Sequence, residues 1–264
     1  MLSDQSFQAV TEAFRRVSGI RLTPAKRQLV IGRLQRLAAE RGVQDLDAYV
    51  QEVLSDGQGE EMTRVIDRLT TNETYFFRES AHFDFLSALV EGRRPATEFR
   101  VWSAASSSGE EAYSIAMLLA DRLGPRGWSI VGTDLSTAMV AAAQRGLYPV
   151  ERARETPPSY LKRFCLKGSG PYEGQLLIHK DLRARVTFRN ANLMTPLPPD
   201  LGQFDVVFLR NVLIYFDQDA KQQIVERVSQ HIKPGGYLFT GHAESLSNIQ
   251  TGLTSVKPAI YART

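Results

Sequence analysis

The stretch from residue 99 to 123 constrains this chain most. Residues 99–104 read as a strand, Ser106-Ser107-Ser108-Gly109-Glu110-Glu111 as a sharp turn, and the residues from Tyr113 onward as a helix. A strand that feeds a helix through a tight turn opens a doubly wound α/β sheet, and nucleotide-type ligands sit at that turn. The turn lacks G-x-G-x-x-G and puts acids where a pyrophosphate would need bare backbone donors. Carboxylates in place of phosphate-cradling glycines suit a positively charged ligand. S-adenosylmethionine, with its sulfonium and its ammonium, is such a ligand.

The alternation continues downstream. Strands are expected at 99–104, 129–133, 185–189, 205–209, 236–240 and 260–263, and helices at 110–123, 137–145, 219–231 and, briefly, near 244–248. A near-continuous apolar strand such as Asp205-Val206-Val207-Phe208-Leu209 requires a parallel sheet covered on both faces. Right-handed crossovers then give an open α/β sheet. About 40 residues separate the second of these helices from the third strand, far more than an ordinary connection. Within them, the glycine-rich turn Gly168-Ser169-Gly170-Pro171 lies beside apolar Leu176, Leu177 and Ile178. That pattern predicts a small antiparallel insertion at about 150–184.

Residues 1–70 read as a separate helical domain. Phe7, Val10, Phe14 and Val17 recur on one helical face, and Thr23-Pro24 opens a second helix in the favoured order of N-cap and N1 proline. That basic helix covers 24–41, with Gly42 beyond it; shorter helices are expected at 45–54 and 60–69. Residues 71–98 form a junction that can fold over a cofactor as a lid, and 99–264 form the sheet domain.

Basic and acidic side chains, 32 and 29, nearly cancel, so the mild net charge of +3 is weak evidence for a nucleic-acid partner, and none is expected. Arg21, Lys26, Arg27, Arg33, Arg36 and Arg41 nevertheless cluster, and a negatively charged partner would be steered there. The cluster has no aromatics for stacking single-stranded nucleic acid. The single cysteine, Cys165, fits a reducing cytoplasm and reads as a structural thiol. No apolar run approaches the ~20 residues needed to span a bilayer, and the start shows no signal-peptide pattern, so a cytoplasmic location without membrane insertion is expected. Four histidines, His82, His179, His231 and His242, show no metal-ligand spacing, and no metal is expected. Neither a Gly-x-Ser-x-Gly elbow nor a Walker loop occurs.

Asp134 ends the second strand, where an acid usually accepts hydrogen bonds from ribose hydroxyls. With Glu110 at the preceding turn, it would line one crevice. Asn192-Leu193 and Arg210-Asn211-Val212 follow the next two strands, and an amide there suits an adenine edge or an amino-acid moiety. In the junction, Phe76 and Phe77 read as packing, whereas polar Asn72, Thr74 and Arg78 are harder to explain that way.

Taken together, Thr70-Thr71-Asn72-Glu73-Thr74-Tyr75-Phe76-Phe77-Arg78-Glu79, Ser108-Gly109-Glu110-Glu111-Ala112-Tyr113, Arg210-Asn211-Val212-Leu213-Ile214-Tyr215-Phe216 and Gly241-His242-Ala243-Glu244-Ser245-Leu246 resemble the hallmark blocks of the CheR family, the chemotaxis receptor methyltransferases. The resemblance runs in the expected order over essentially the whole chain. One departure is small: the family often has Ser-Thr-Gly-Glu-Glu, and Ser108 here keeps the hydroxyl.

The resemblance implies a class I S-adenosylmethionine-dependent methyltransferase with a small N-terminal all-helical domain and an inserted antiparallel β-subdomain. It implies methyl transfer to glutamate side chains in the cytoplasmic domain of methyl-accepting receptors, leaving S-adenosylhomocysteine. Cofactor contacts carried over by motif are Asn72, Thr74, Arg78, Glu110, Asp134, Asn192, Leu193, Asn211 and Val212. Arg27, Arg33 and Arg36 match the element facing the receptor. Gly168 and Gly170 belong to the β-subdomain, which in some members binds the receptor's C-terminal peptide. A monomer recruited to membrane receptor arrays is expected.

The chemistry asks for little acid–base help, because a glutamate of pKa ~4.3 is already ionised at neutral pH. A site without a general base is therefore expected, with Arg78 holding the incoming carboxylate and Tyr215 lining the methyl channel. Amide methylation would call for Asn-Pro-Pro-Tyr where this chain reads Asn211-Val212-Leu213-Ile214, and NAD-linked redox for the absent glycine fingerprint. A non-catalytic module that binds the cofactor and docks on receptors is disfavoured by the retained Asn, Glu and Asp set.

Overall fold

The computed structural model describes residues 2–57, 59–92 and 97–264; Met1 and Gln58 of the helical domain and residues 93–96 of the junction lie outside the described residues. Helix α1 (Asp4–Ser18) starts at Ser3, whose hydroxyl accepts the Ser6 N–H, and stops at Gly19, whose left-handed φ of 74° turns the chain. Pro24–Lys26 forms a short 3-10 turn, so α2 (Arg27–Glu40) begins three residues later than the Thr23-Pro24 pair predicts; Thr23 makes no capping bond. Helices α3 (Leu46–Ser55) and α4 (Glu60–Leu69) complete the bundle. Phe7, Val10, Phe14, Leu34, Tyr49 and Val65 are buried in its own core.

Helix α5 (Ser80–Val90) follows, then β1 (Phe99–Ser103), α6 (Glu110–Leu123), β2 (Trp128–Asp134) and α7 (Thr137–Arg145). The insertion holds β3 (Leu147–Pro149), α8 (Pro158–Phe164), β4 (Cys165–Lys167), β5 (Gln175–Ile178) and the single-turn α9 (Lys180–Arg183). The chain then runs through β6 (Val186–Asn190), β7 (Phe204–Leu209), α10 (Gln218–Ser229), β8 (Ile232–Thr240), β9 (Leu253–Lys257) and β10 (Ile260–Arg263). Helix α5 and strand β9 were not anticipated: α5 lies inside the expected lid, and β9 is an edge strand whose residues stay largely exposed. Residues 244–246 have no regular structure and 247–248 form a turn, in place of the expected helix. Leu246 is anchored there by its N–H to the Tyr261 hydroxyl at 3.1 Å, and Glu244 spends its carboxylate on neighbouring backbone.

The large sheet has the order β6-β2-β1-β7-β8-β10-β9, parallel except that β10 runs antiparallel to both neighbours. Val101 pairs with Ile130 on one side and Val206 on the other. Winding proceeds from β1 out to β2 and β6, then returns to start again at β7. Connections therefore diverge above the carboxyl ends of β1 and β7, which opens a crevice there. One face of the sheet packs Phe99, Phe208 and Phe239 under α5 and α6; the other packs Trp102, Phe204 and Leu238 under α10. Covering on both faces explains the unbroken apolar strands.

The insertion forms a second sheet, order β3-β5-β4, all antiparallel, whose first strand starts just before the expected boundary. It is fastened to the first crevice loop, because the Tyr148 hydroxyl donates to the Ser108 carbonyl at 2.7 Å. Gly109 makes that loop possible. Its φ of 97° belongs to glycine, and a Cβ there would meet Ala143 Cβ at 2.8 Å and the Tyr148 hydroxyl at 3.0 Å. Gly109→Ala is expected to destabilise the protein by roughly 2–5 kcal/mol, combining left-handed strain with overpacking. A thermal melt within a degree or two of the parent would contradict this.

Candidate functional site

The crevice is a cavity of about 460 Å³, inside the roughly 300–1,000 Å³ usual for small-ligand sites. Its floor comes from the carboxyl ends of β1, β2 and β7. Its roof comes from two pieces of the N-terminal half, the α1–α2 connection with Ile20, Arg21 and Thr23, and the junction from Leu69 to Tyr75. Asn72, Thr74, Arg78, Asp134, Asn192, Leu193, Asn211, Val212 and Tyr215 all line it. Glu110 does not; its neighbour Glu111 does. Successive residues of a helix point about 100° apart, so only one of the pair can face the crevice.

Glu110 acts at one remove. It is buried, accepts the Ser108 hydroxyl at 2.7 Å and pairs with Arg152 at 3.2 Å. The same Arg152 nitrogen donates to the Thr74 carbonyl at 2.7 Å, and the Phe76 N–H donates to the Arg152 carbonyl. Burial pushes the Glu110 carboxyl up from its ordinary range.

Asp134 is the most instructive carboxylate. It is 8% exposed, and its two oxygens accept the Ser107 N–H at 2.8 Å and the Ser136 N–H at 2.9 Å. Burial outweighs those donors and pushes its pKa up to about 6. At neutral pH it is an ionised, poorly hydrated acceptor with lone pairs to spare, suited to further hydroxyl donors. A carboxyl raised above its unfolded value of ~3.9 contributes stability below that value and loses it as pH rises through about 6.

The amides are held by the frame. Asn192 donates to the Val17 carbonyl at 2.6 Å and accepts the Met194 N–H at 2.9 Å, tying α1 to the end of β6. Asn211 takes a left-handed φ of 56°, which asparagine tolerates, and donates to Glu79 at 3.1 Å. Asn72 donates to the Thr70 hydroxyl at 3.1 Å, and its carbonyl accepts the Ser107 hydroxyl at 3.1 Å. Arg78 donates to the Glu73 carbonyl at 3.0 Å and lies over the Tyr75 ring at 5.9 Å. Burial raises the Tyr215 phenol.

One group of residues was missed by sequence reasoning. The Arg210 side chain is 1% exposed and pairs with Glu111 at 2.9 Å and Glu79 at 3.0 Å. It also donates to the Arg78 carbonyl and faces the Phe83 and Phe208 rings at 5.9 Å each. A charge directly after the apolar run ending at Leu209 was the available signal. The basic helix is also more engaged than its sequence suggests. Arg27 pairs with Asp4 at 2.9 Å and donates to the Leu2 carbonyl, and Arg33 donates to the Leu69 and Thr70 carbonyls, whereas Arg36 is exposed. Gly168 and Gly170 shape the β4–β5 turn, where a Cβ on Gly168 would collide with the Tyr172 carbonyl.

The winding order, the buried acid closing β2 and the glycine-poor, acid-bearing first turn define a Rossmann-like methyltransferase that uses S-adenosylmethionine. Residues 5–70 match the family described as CheR methyltransferase, all-alpha domain, and residues 72–261 match CheR methyltransferase, SAM binding domain. The chain belongs to the CheR methyltransferase family. It is 39% identical over 263 residues to the chemotaxis protein methyltransferase of Escherichia coli (strain K12), covering 99% of this chain and 91% of that one. Identity to the Salmonella typhimurium chemotaxis protein methyltransferase is 37%, with the same coverage. Identity to chemotaxis protein methyltransferase 2 of Pseudomonas aeruginosa is 36%, covering 98% and 92%. Among the described residues no helix is long and apolar enough to cross a membrane.

Asp134→Asn is expected to weaken S-adenosylhomocysteine binding by about 1.5–3 kcal/mol, roughly 10–100-fold, in titration calorimetry. Parent affinity is expected to fall as pH drops below about 6, by up to about tenfold per pH unit, and the variant to lose that slope. Identical pH profiles for the two proteins would refute the role given to this carboxylate.

Proposed function

We propose that this methyltransferase esterifies glutamate side chains in the cytoplasmic domain of methyl-accepting chemotaxis receptors, forming γ-glutamyl methyl esters. The reading is supported by relatives named chemotaxis protein methyltransferase that align along almost the entire chain. The observation that carries it is chemical. Among the described residues three carboxylates line the cavity: Glu111 is engaged by Arg210, Asp134 by two backbone amides, and Glu73 lies exposed in the junction, so no buried carboxylate there is unpartnered and poised as a general base. Only a nucleophile ionised in advance suits such a site, and a glutamate carboxylate is one.

In this reading S-adenosylmethionine supplies an electrophilic methyl: a glutamate oxygen bonds to that carbon as the carbon–sulfur bond breaks, and no proton moves. Asp134 accepts the ribose hydroxyls. Asn72, Thr74, Asn192, Leu193, Asn211 and Val212 frame the rest of the cofactor, and Glu110 positions Thr74 through Arg152. Arg78 holds the incoming carboxylate, which strips it of water and aligns it. Tyr215 lines the methyl channel. Arg36, exposed on α2, and the Arg27 and Arg33 stems face the acidic receptor helices. The glycine turn at Gly168 and Gly170 serves a β-subdomain that tethers a receptor C-terminal peptide. The enzyme works as a cytoplasmic monomer recruited to receptor arrays.

Labelled methyl transferred from the cofactor to a purified receptor cytoplasmic fragment is expected to be released as methanol in mild base. Base-stable counts, as from an N-methyl amide, would overturn the ester assignment. Arg78→Ala and Tyr215→Phe are each expected to lower turnover by about 10–100-fold through misplacement of the reacting groups. Unchanged rates with full S-adenosylhomocysteine binding would remove both residues from the mechanism.

A further inference from the structure

His82 and His242 are far apart in sequence, yet the fold sets them side by side, with ring centroids 5.1 Å apart. His82 lies in the first turn of α5, Glu79 is the residue that precedes this helix, and His242 follows β8. One potential ligand atom from each of the three lies within 4.8 Å of the other two. Glu79 Oε2 and His82 Nδ1 are 3.5 Å apart. Two donors bound to one tetrahedral ion at about 2.1 Å stand roughly 3.4 Å from each other.

A second observation is independent of that spacing. His82 is 1% exposed, and neither of its ring nitrogens has a hydrogen-bond partner. Buried imidazole nitrogens are rarely left so, because the lost hydration is not returned. The charges nearby also favour a cation, since two carboxylates, Glu79 and Glu111, face the guanidinium of Arg210, and in the adjoining cavity Asp84 offsets Lys257. Glu79 already accepts from Arg210 on Oε2 at 3.0 Å and from the Asn211 amide and the His242 backbone N–H on Oε1 at 3.1 and 3.4 Å; a carboxylate carries about four lone-pair positions, which leaves one for an ion, and Glu111 keeps the arginine in place. Entry is open, because a second cavity of about 660 Å³ is lined by both histidines, and His242 is exposed.

We propose that Glu79, His82 and His242 form a binding site for one divalent transition-metal ion. Two imidazoles and one carboxylate suit Zn²⁺, Co²⁺ or Ni²⁺ over the oxygen-seeking Mg²⁺ and Ca²⁺. Three protein ligands leave a fourth position for solvent. The site stands outside the methyl-transfer cavity and does not depend on the receptor reading.

The test uses the full chain, free of any affinity tag and stripped with chelator. Co²⁺ added to it is expected to produce the visible absorption of a tetrahedral site, saturating at one equivalent and bleached by Zn²⁺. His242→Ala, at an exposed position, is expected to weaken Co²⁺ binding by at least about tenfold, the loss already seen when a mere supporting partner is removed. His179→Ala, which alters the separate His179–Asp181 pair, is expected to leave it unchanged. Circular dichroism checks that each variant folds, and His242→Gln replaces His242→Ala if the latter does not. Absence of the absorption band, binding that survives loss of His242, or binding that vanishes with His179 would each overturn the proposal.

Discussion

Arg210 is the interaction on which the site depends. A guanidinium 1% exposed at the end of β7 is tolerable only if its charge is met locally, and Glu111 from α6 and Glu79 from the junction meet it. Removing one partner from a buried ion pair costs about 3–5 kcal/mol, because a naked charge is left behind. The three residues come from the strand that restarts the winding, the helix that follows the first strand, and the segment joining the two domains. Their pairing therefore fixes the crevice walls relative to one another before any ligand arrives.

The roof is fastened by a second set of contacts, each using a side chain to hold a backbone carbonyl. Arg33 of α2 holds Leu69 and Thr70; Arg152, backed by buried Glu110, holds Thr74; Asn192 holds Val17. Every one of these carbonyls belongs to the helical domain or the junction. The crevice is thus a joint between two units, and neither supplies a complete wall alone. Thr137 adds a bond to Asp67 at 2.9 Å, which joins α7 to α4 of the helical domain.

Much of the fold was legible from local pattern. Helix α6 over 110–123 and α7 over 137–145 coincide with their apolar periodicity and caps, and six of the seven long-sheet strands fall within a few residues of their apolar runs. The exceptions have physical causes. Helix α5 falls within the junction expected to act as a lid, and β9 lies at an exposed edge with a polar sequence. The Glu244 segment carries helix-forming residues, but its carboxylate binds the Asn211, Ile214 and Gly241 N–H groups, a demand from tertiary partners that overrides local preference.

By itself the sequence determined the helical first 70 residues, the largely parallel sheet that follows, the acid-bearing first turn and most of the polar residues that line the crevice. All of these follow from periods of two and 3.6 residues and from turn chemistry, which act over short distances. Only the tertiary structure decided that Glu111 and not Glu110 faces the crevice, that Glu79 is bound to Arg210, and that His82 meets His242. Those pairings join residues separated by whole strands and helices, and they depend on strand order and helix rotation, which local pattern leaves open.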